Sequence, residues 1–250
     1  MQSYLVFQLY APLVSWGDQA VGQERPGTDH PSRSALLGLI GAALGLKRDD
    51  DAGQAALAAD CHFGTRLYAP GLTLRDFHTV QVPASSKKVQ SLYTRRDELS
   101  GPKARLGTLL SFRSYQQDSF SVAALWLENT SRPPQWTLDT ICQALQQPHF
   151  PLYLGRKSCP PALPLNPQAL QADRLQAALD QYQPAEAMQH LLHRNRPALD
   201  YWEYSDHIGM QGRETHRVPR HDQPLNRRRW QFSSREEYVA LVKGEADVPE

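Results

Sequence analysis

The chain has 250 residues, 40% of them hydrophobic and 21% charged, which excludes a disordered polymer and fits one sizeable domain or one with a smaller companion. With 27 Lys and Arg against 26 Asp and Glu the formal charge is only +1, so bulk basicity argues for no partner, and any case for nucleic acid rests on where the charges sit. Cys61, Cys142 and Cys159 are odd in number and lack CxxC spacing. That argues against a zinc site or a disulfide framework and predicts free, mostly buried thiols in a reducing compartment.

Residues 3–10 alternate, with Leu5, Phe7 and Leu9 on one face and Tyr4, Val6, Gln8 and Tyr10 on the other. This predicts a strand whose second face is also partly covered. Gln8 and Pro12 interrupt the apolar run, and no basic region precedes it, so neither a signal peptide nor a membrane span is expected. A polar loop leads to Ser32, an N-cap for a helix carrying Leu36, Leu37, Ile40, Ala43 and Leu44, with Gly45 as its stop. Gly38 and Gly41 weaken that helix and call for close packing or a close ligand.

Asp49-Asp50-Asp51 opens a short alanine-rich helix at 51–59. Strands follow at 61–68 and 72–82, then a polar, basic excursion over 83–108, then strands at 109–115 and 119–127. A helix at 137–147 is stopped by Pro148. The order strand, helix, strand, long hairpin, strand, helix predicts an α+β fold: a ferredoxin-like (RRM-like) domain over 1–150, with an extended hairpin at about 74–115. Residues 151–250 read as a linker and a small β-rich C-terminal part, with a helix at 168–182 and strands near 199–204, 213–218 and 228–233.

Three segments have the residue types that hold anions. Arg25 through Ser34 combines two arginines, small hydroxyls and the N–H groups of a helix start, although it reads equally as an ordinary capped helix. Tyr153-Leu154-Gly155-Arg156-Lys157-Ser158 suits approach of a backbone to an anion, or is a plain surface turn; it is too short for a Walker loop. Residues 83–113, which include Lys87 and Lys88, carry seven cations against Asp97 and Glu98, a net +5, with Tyr93, Phe112 and Tyr115 available for stacking. A solvated loop is the alternative. Residues 213–229 are also basic, at +4. No histidine has a partner at diagnostic spacing, and no metal motif, nucleophile motif or nucleotide-binding glycine motif is present.

Taken in order, these stretches resemble one family. Ser3-Tyr4-Leu5-Val6 through Ser15-Trp16-Gly17, Pro31-Ser32-Arg33-Ser34-Ala35-Leu36-Leu37-Gly38, Leu74-Arg75-Asp76-Phe77-His78-Thr79-Val80, Ser111-Phe112-Arg113-Ser114-Tyr115, Tyr153 through Pro160, and Gln231-Phe232-Ser233-Ser234-Arg235 are similar to CRISPR-associated protein family five in its type I-E branch. The likeness covers about half of the chain and is poor over 84–107 and 165–222. It implies an RRM-like domain with a thumb-like hairpin and a small C-terminal β domain. It also implies a cytoplasmic, non-catalytic subunit that needs no cofactor or metal and caps the 5′ handle of the crRNA. Its partners would be the adjoining backbone subunit and the large PAM-reading subunit, with target DNA met only through the complex and no membrane contact. Carried over by segment, Trp16, Arg25, Ser32, Arg33, Ser34 and Gly38 would line one side of the RNA. Arg113 and Tyr115 would come from the thumb base, and Tyr153, Gly155, Arg156, Lys157 and Ser158 from the opposite side. The alternative is a metal-independent endoribonuclease, as in type I-C relatives, built from Tyr93, Lys87 and His78.

Overall fold

The computed structural model describes residues 1–83, 93–100, 106–128, 132–192, 198–203 and 215–242. Its organising element is β7 (Leu106–Leu127), 22 residues long. The first half of β7 pairs antiparallel with β6 (Leu72–Pro83), from Leu72 opposite Gln117 to Pro83 opposite Leu106. Its second half runs between β1 (Gln2–Val14) and β5 (Cys61–Ala69). The two strands expected at 109–115 and 119–127 are therefore one. Gln116-Gln117-Asp118 reads as a break because Asp is depleted from strands. Here Asp118 takes a left-handed φ of 58° and accepts the Tyr10 hydroxyl at 2.9 Å, which carries the strand through. The turn from β5 into β6 needs Gly71: its φ is +77°, and a Cβ would stand 2.3 Å from the Gln117 carbonyl oxygen.

The protein is α+β with a large, mainly antiparallel sheet. Among the described residues its order is β10 (His216–Asn226), β11 (Gln231–Leu241), β9 (Leu199–Trp202), β5, β7, β1 and β8 (Gln168–Ala172). β6 and the two-residue β3 (Glu24–Arg25) attach to β7, and β2 (Trp16–Gly17) pairs with β4 (Gly27–Thr28) apart from the sheet.

The alternation in β1 sorts two cores, as the mixed second face predicted. Leu5, Phe7 and Leu9 join α1 (Arg33–Ala43), α2 (Asp51–Asp60) and α4 (Leu138–Gln146) in one cluster. Tyr4 and Val6 face the other way, towards Phe120, Trp126 and the helix α5 (Leu175–Gln181). Gln8 lies in this interior fully bonded, donating to the Pro164 carbonyl at 2.8 Å and accepting from the Ala185 N–H at 3.0 Å. Cys61 and Cys159 are buried and Cys142 is half-buried, all three as free thiols.

Ser32 caps α1 as expected, accepting the Ala35 N–H at 3.2 Å, and Gly45 follows its end with φ +79°. Other expectations change. The helix placed at 168–182 is strand β8, antiparallel to β1 from Gln2 opposite Ala172 to Val6 opposite Gln168, and only Leu175–Gln181 is helical. The Gln-Ala-Leu-Gln-Ala sequence favours a helix locally, but the open edge of β1 needs backbone partners, and that demand wins. The strands placed at 213–218 and 228–233 form a longer hairpin whose turn falls at 227–230, across the start of the second expected strand. Within the basic excursion a short helix, α3 (Arg95–Leu99), is fixed by a Thr94–Asp97 capping box. Lys87 and Lys88 lie outside the described residues. The remaining helix, α6 (Gln189–Leu192), follows a single 3-10 turn at Glu186–Met188.

Candidate nucleic-acid interface

An open cleft of about 1420 Å³ lies above the N-terminal half of α1. One wall is α1 itself, through Ser32, Ser34, Ala35 and Gly38. The second is the loop after α4, through Phe150, Tyr153, Gly155 and Lys157. The third is the β10–β11 hairpin, through Arg220, His221, Arg227, Trp230 and Phe232. Two of the three predicted segments thus meet in one cleft, from residues more than a hundred positions apart.

Placement differs from residue to residue. Lys157 and Ser158 are exposed, and Tyr153 is 37% exposed. Arg25 stands opposite Arg113 in the β3–β7 pair, and its guanidinium donates to the Gly22 and Glu24 carbonyls at 2.7 and 2.8 Å. Arg156 donates from Nε to Ser15 Oγ at 2.8 Å and lies over the buried Tyr115 ring at 5.1 Å. Ser15 Oγ in turn donates to the Ser114 carbonyl at 2.9 Å. Arg156 therefore ties the loop to the base of the hairpin, beside the cleft and off its lining. Trp16 is buried, with no partner for its Nε1 among the described residues.

Two expected roles need a different physical reason. Arg33 is 5% exposed and points inward: its guanidinium donates to the Ala58 and Cys61 carbonyls at 2.8 and 2.9 Å and pairs with Glu203 at 3.0 Å. The start of α1 is also not free. Asp222 accepts the Arg33 N–H at 2.7 Å and Ser32 Oγ accepts that of Ala35, so the chain's own carboxylate sits where a phosphate was expected. Gly155, at φ +89°, is demanded by the Ser15 carbonyl oxygen, which a Cβ would meet at 1.9 Å. At Gly38 the close neighbour is the Arg227 guanidinium, 2.9 Å from where a Cβ would stand.

An ion network positions the hairpin over α1. Arg235 holds Asp222 through two bonds, at 2.6 and 2.9 Å, and reaches Glu237 at 2.7 Å. His30 is buried between Asp29 at 2.7 Å and Glu237 at 2.8 Å, its ring stacked on Tyr201. Burial alone would raise the Glu237 carboxyl, but the His30 hydrogen bond and charge, then Arg235 and Arg220, hold it at about 2. Burial would lower His30, yet its two carboxylate partners raise it.

Sequence reasoning missed the third wall. Its signals were the local +4 of residues 213–229 and the family-like stretch Gln231–Arg235, neither of which shows a direction. Arg227 is half-buried, donates to the Ser34 carbonyl at 3.2 Å and forms no ion pair among the described residues. Burial lowers its pKa; Tyr153 opposes this and Arg48 adds to it.

On the alternative catalytic set, His78 bonds to Asp76 on β6, Tyr93 is exposed, and Lys87 lies outside the described residues. Among the described residues there is no group of three His, Cys, Asp or Glu side chains able to hold a metal, and no helix long and apolar enough to cross a membrane.

Residues 4–237 match the family described as CRISPR-associated protein (Cas_Cas5), and the chain belongs to that family. It is 32% identical over 256 residues, 99% of each chain, to the CRISPR system Cascade subunit CasD of Escherichia coli strain K12. Two solved structures share the fold. One is from a CRISPR RNA-guided surveillance complex, with TM-score 0.61 and 23% identity over 96% of this chain and 89% of that one. The other is a crystal structure of a Cas protein, with TM-score 0.58 and 24% identity over 95% and 94%.

Proposed function

We propose that this protein is the subunit of a type I-E Cascade surveillance complex that binds and caps the 5′ handle of the crRNA, in the cytoplasm and without catalysing a reaction. The observation that carries this reading is the cleft shared by α1 and the 150–160 loop in a chain so similar to CasD. Its walls offer the half-buried Ser34 hydroxyl, an exposed cation at Lys157, and the aromatic rings of Tyr153 and Trp230. Single-stranded RNA with unstacked bases is held by such groups, phosphates by the cations and bases by the rings.

In the same reading β1, α1, β5, β7 and α4 form an RRM-like core over residues 1–150. The β6–β7 hairpin is its thumb, directed at the neighbouring backbone subunit. Residues 151–250 are a smaller β-rich part, which would help seat the large PAM-reading subunit. A near-neutral chain with a basic cleft suits a protein whose remaining surface meets other proteins.

The test is to assemble the complex with a repeat array and sequence the 5′ ends of the RNA it retains. A uniform handle is expected, shortened or lost when Tyr153 and Lys157 are both changed to Ala. Identical retention by that variant removes the reading. Incubating the isolated chain with repeat RNA in EDTA checks catalysis; specific cleavage lost in His78→Ala would establish the ribonuclease instead.

A further inference from the structure

We propose that the turn joining β10 and β11 is a stacking subsite for one unpaired nucleotide, its base on the Trp230 ring and its phosphate between Arg227 and Arg48. The inference rests on the RNA-binding reading above and adds to it a place, a mode of binding and three residues that the sequence did not single out.

Trp230 carries the argument in two independent ways. It is 59% exposed at the mouth of the cleft, an unusual position for the largest apolar side chain. It also has φ 57°, a backbone conformation that is strained for any bulky residue. A glycine or asparagine would close this turn without strain. The strain is explained if the ring must stand at this spot. Phe232 braces it edge-on, with centroids 5.7 Å apart and planes at 87°.

The charges around the ring select the ligand. The Arg48 guanidinium, from the loop after α1, lies over the ring 5.2 Å from its centroid, and that of Arg227, from the hairpin turn itself, lies over it at 5.9 Å. Neither forms an ion pair among the described residues. An exposed aromatic ring with two cations that a phosphate can draw aside matches the two parts of a nucleotide, a base and a phosphate. An acidic peptide would satisfy the cations and leave the ring unused.

The test uses the full chain and a labelled eight-nucleotide unstructured RNA, compared with the same RNA carrying abasic sites and with polyglutamate. Trp230→Ala is expected to weaken binding of the intact RNA about tenfold, and Trp230→Phe to keep it within about threefold. Trp230→Ala should leave the abasic RNA unaffected. Arg227→Ala should lower the slope of log affinity against log salt by about one, which Trp230→Ala should not do. Photocrosslinks from 5-iodouridine should map to the peptide containing Trp230. Thermal unfolding of each variant separates lost folding from lost binding. Equal affinity of wild type and Trp230→Ala for the intact RNA removes the subsite and leaves the wider reading standing, and polyglutamate competing better than RNA assigns the site to a protein partner. No RNA binding by the wild-type chain removes both.

Discussion

Asp222, on the C-terminal hairpin, accepts the main-chain N–H of Arg33 at 2.7 Å, so a residue of β10 satisfies the first turn of a helix almost two hundred positions earlier. The same carboxylate is held by Arg235 through two bonds. Changing Asp222 to Ala leaves the Arg33 N–H without its acceptor and takes from the largely buried Arg235 guanidinium one of its two carboxylate partners. A loss of about 3 kcal/mol of unfolding free energy is expected. Urea unfolding with an unchanged m-value measures it, and a loss below experimental error would show that the hairpin is held by other contacts.

Gly38→Ala separates stability from binding. Ala is favoured over Gly inside a helix by up to about 1 kcal/mol, and the neighbour in the way is the movable end of Arg227. The variant should unfold no lower than wild type, and gain where Arg227 can step aside. Moving that guanidinium should nonetheless weaken RNA binding, as read by fluorescence anisotropy.

Gly155→Ala should do the opposite. The backbone there has φ +89°, and the Ser15 carbonyl oxygen leaves no room for a Cβ. More than about 2 kcal/mol of destabilisation is expected, because main chain must move. The thermal midpoint checks this.

The buried His30–Glu237 pair makes stability depend on pH in two directions. Glu237 is held at about 2 against an ordinary 4.5, so its contribution is complete above about pH 4.5 and is lost as pH falls towards 2. The acid limb should amount to something on the order of 3 kcal/mol. His30 is raised above its ordinary 6.5, so its contribution is complete below that value and is lost as pH rises through the folded one. Unfolding midpoints from pH 3 to 9 should peak between these limits. In His30→Asn the upper limb should flatten; a limb that stays the same would assign it to another group.

Lys157 and Arg156 are neighbours with different roles. Lys157 lines the cleft and is exposed, so Lys157→Ala should lower the salt slope of RNA binding by about one and leave stability unchanged. Arg156 bonds Ser15 and covers Tyr115. Arg156→Ala should lower the thermal midpoint as well, since it unties the loop from the hairpin base.

Much of this was legible in the sequence because the local signals and the fold agree. The period-two pattern of β1, the Ser32 cap and the Gly45 stop each specify their own element, and all three are found. Misreadings arose where a distant partner overrides local preference. Gln168–Ala172 pairs as a strand with the edge that β1 offers, and where β7 passes Asp118 that carboxylate accepts the Tyr10 hydroxyl. The site divides similarly. Short motifs marked two walls of the cleft, but a motif does not show which way a charged side chain points. Arg33 looked like a ligand and is an internal strut; Trp230 looked like a strand residue and is the rim of the cleft. Gly38 and Gly155 do meet a close neighbour, in each case a group of the chain itself, whereas Gly41 has only ordinary contacts, the nearest at 3.7 Å.

One consequence of the long strand β7 remains. Because the stem of the hairpin and the middle of the sheet are one strand, joined at Asp118, where the carboxylate accepts the Tyr10 hydroxyl, the described part of the arm is paired to the sheet through its root. Its aim is set when the sheet forms. A neighbour gripping it meets a lever rooted beside Ser15 and Arg156, so mechanical strain placed on the arm is delivered next to the cleft.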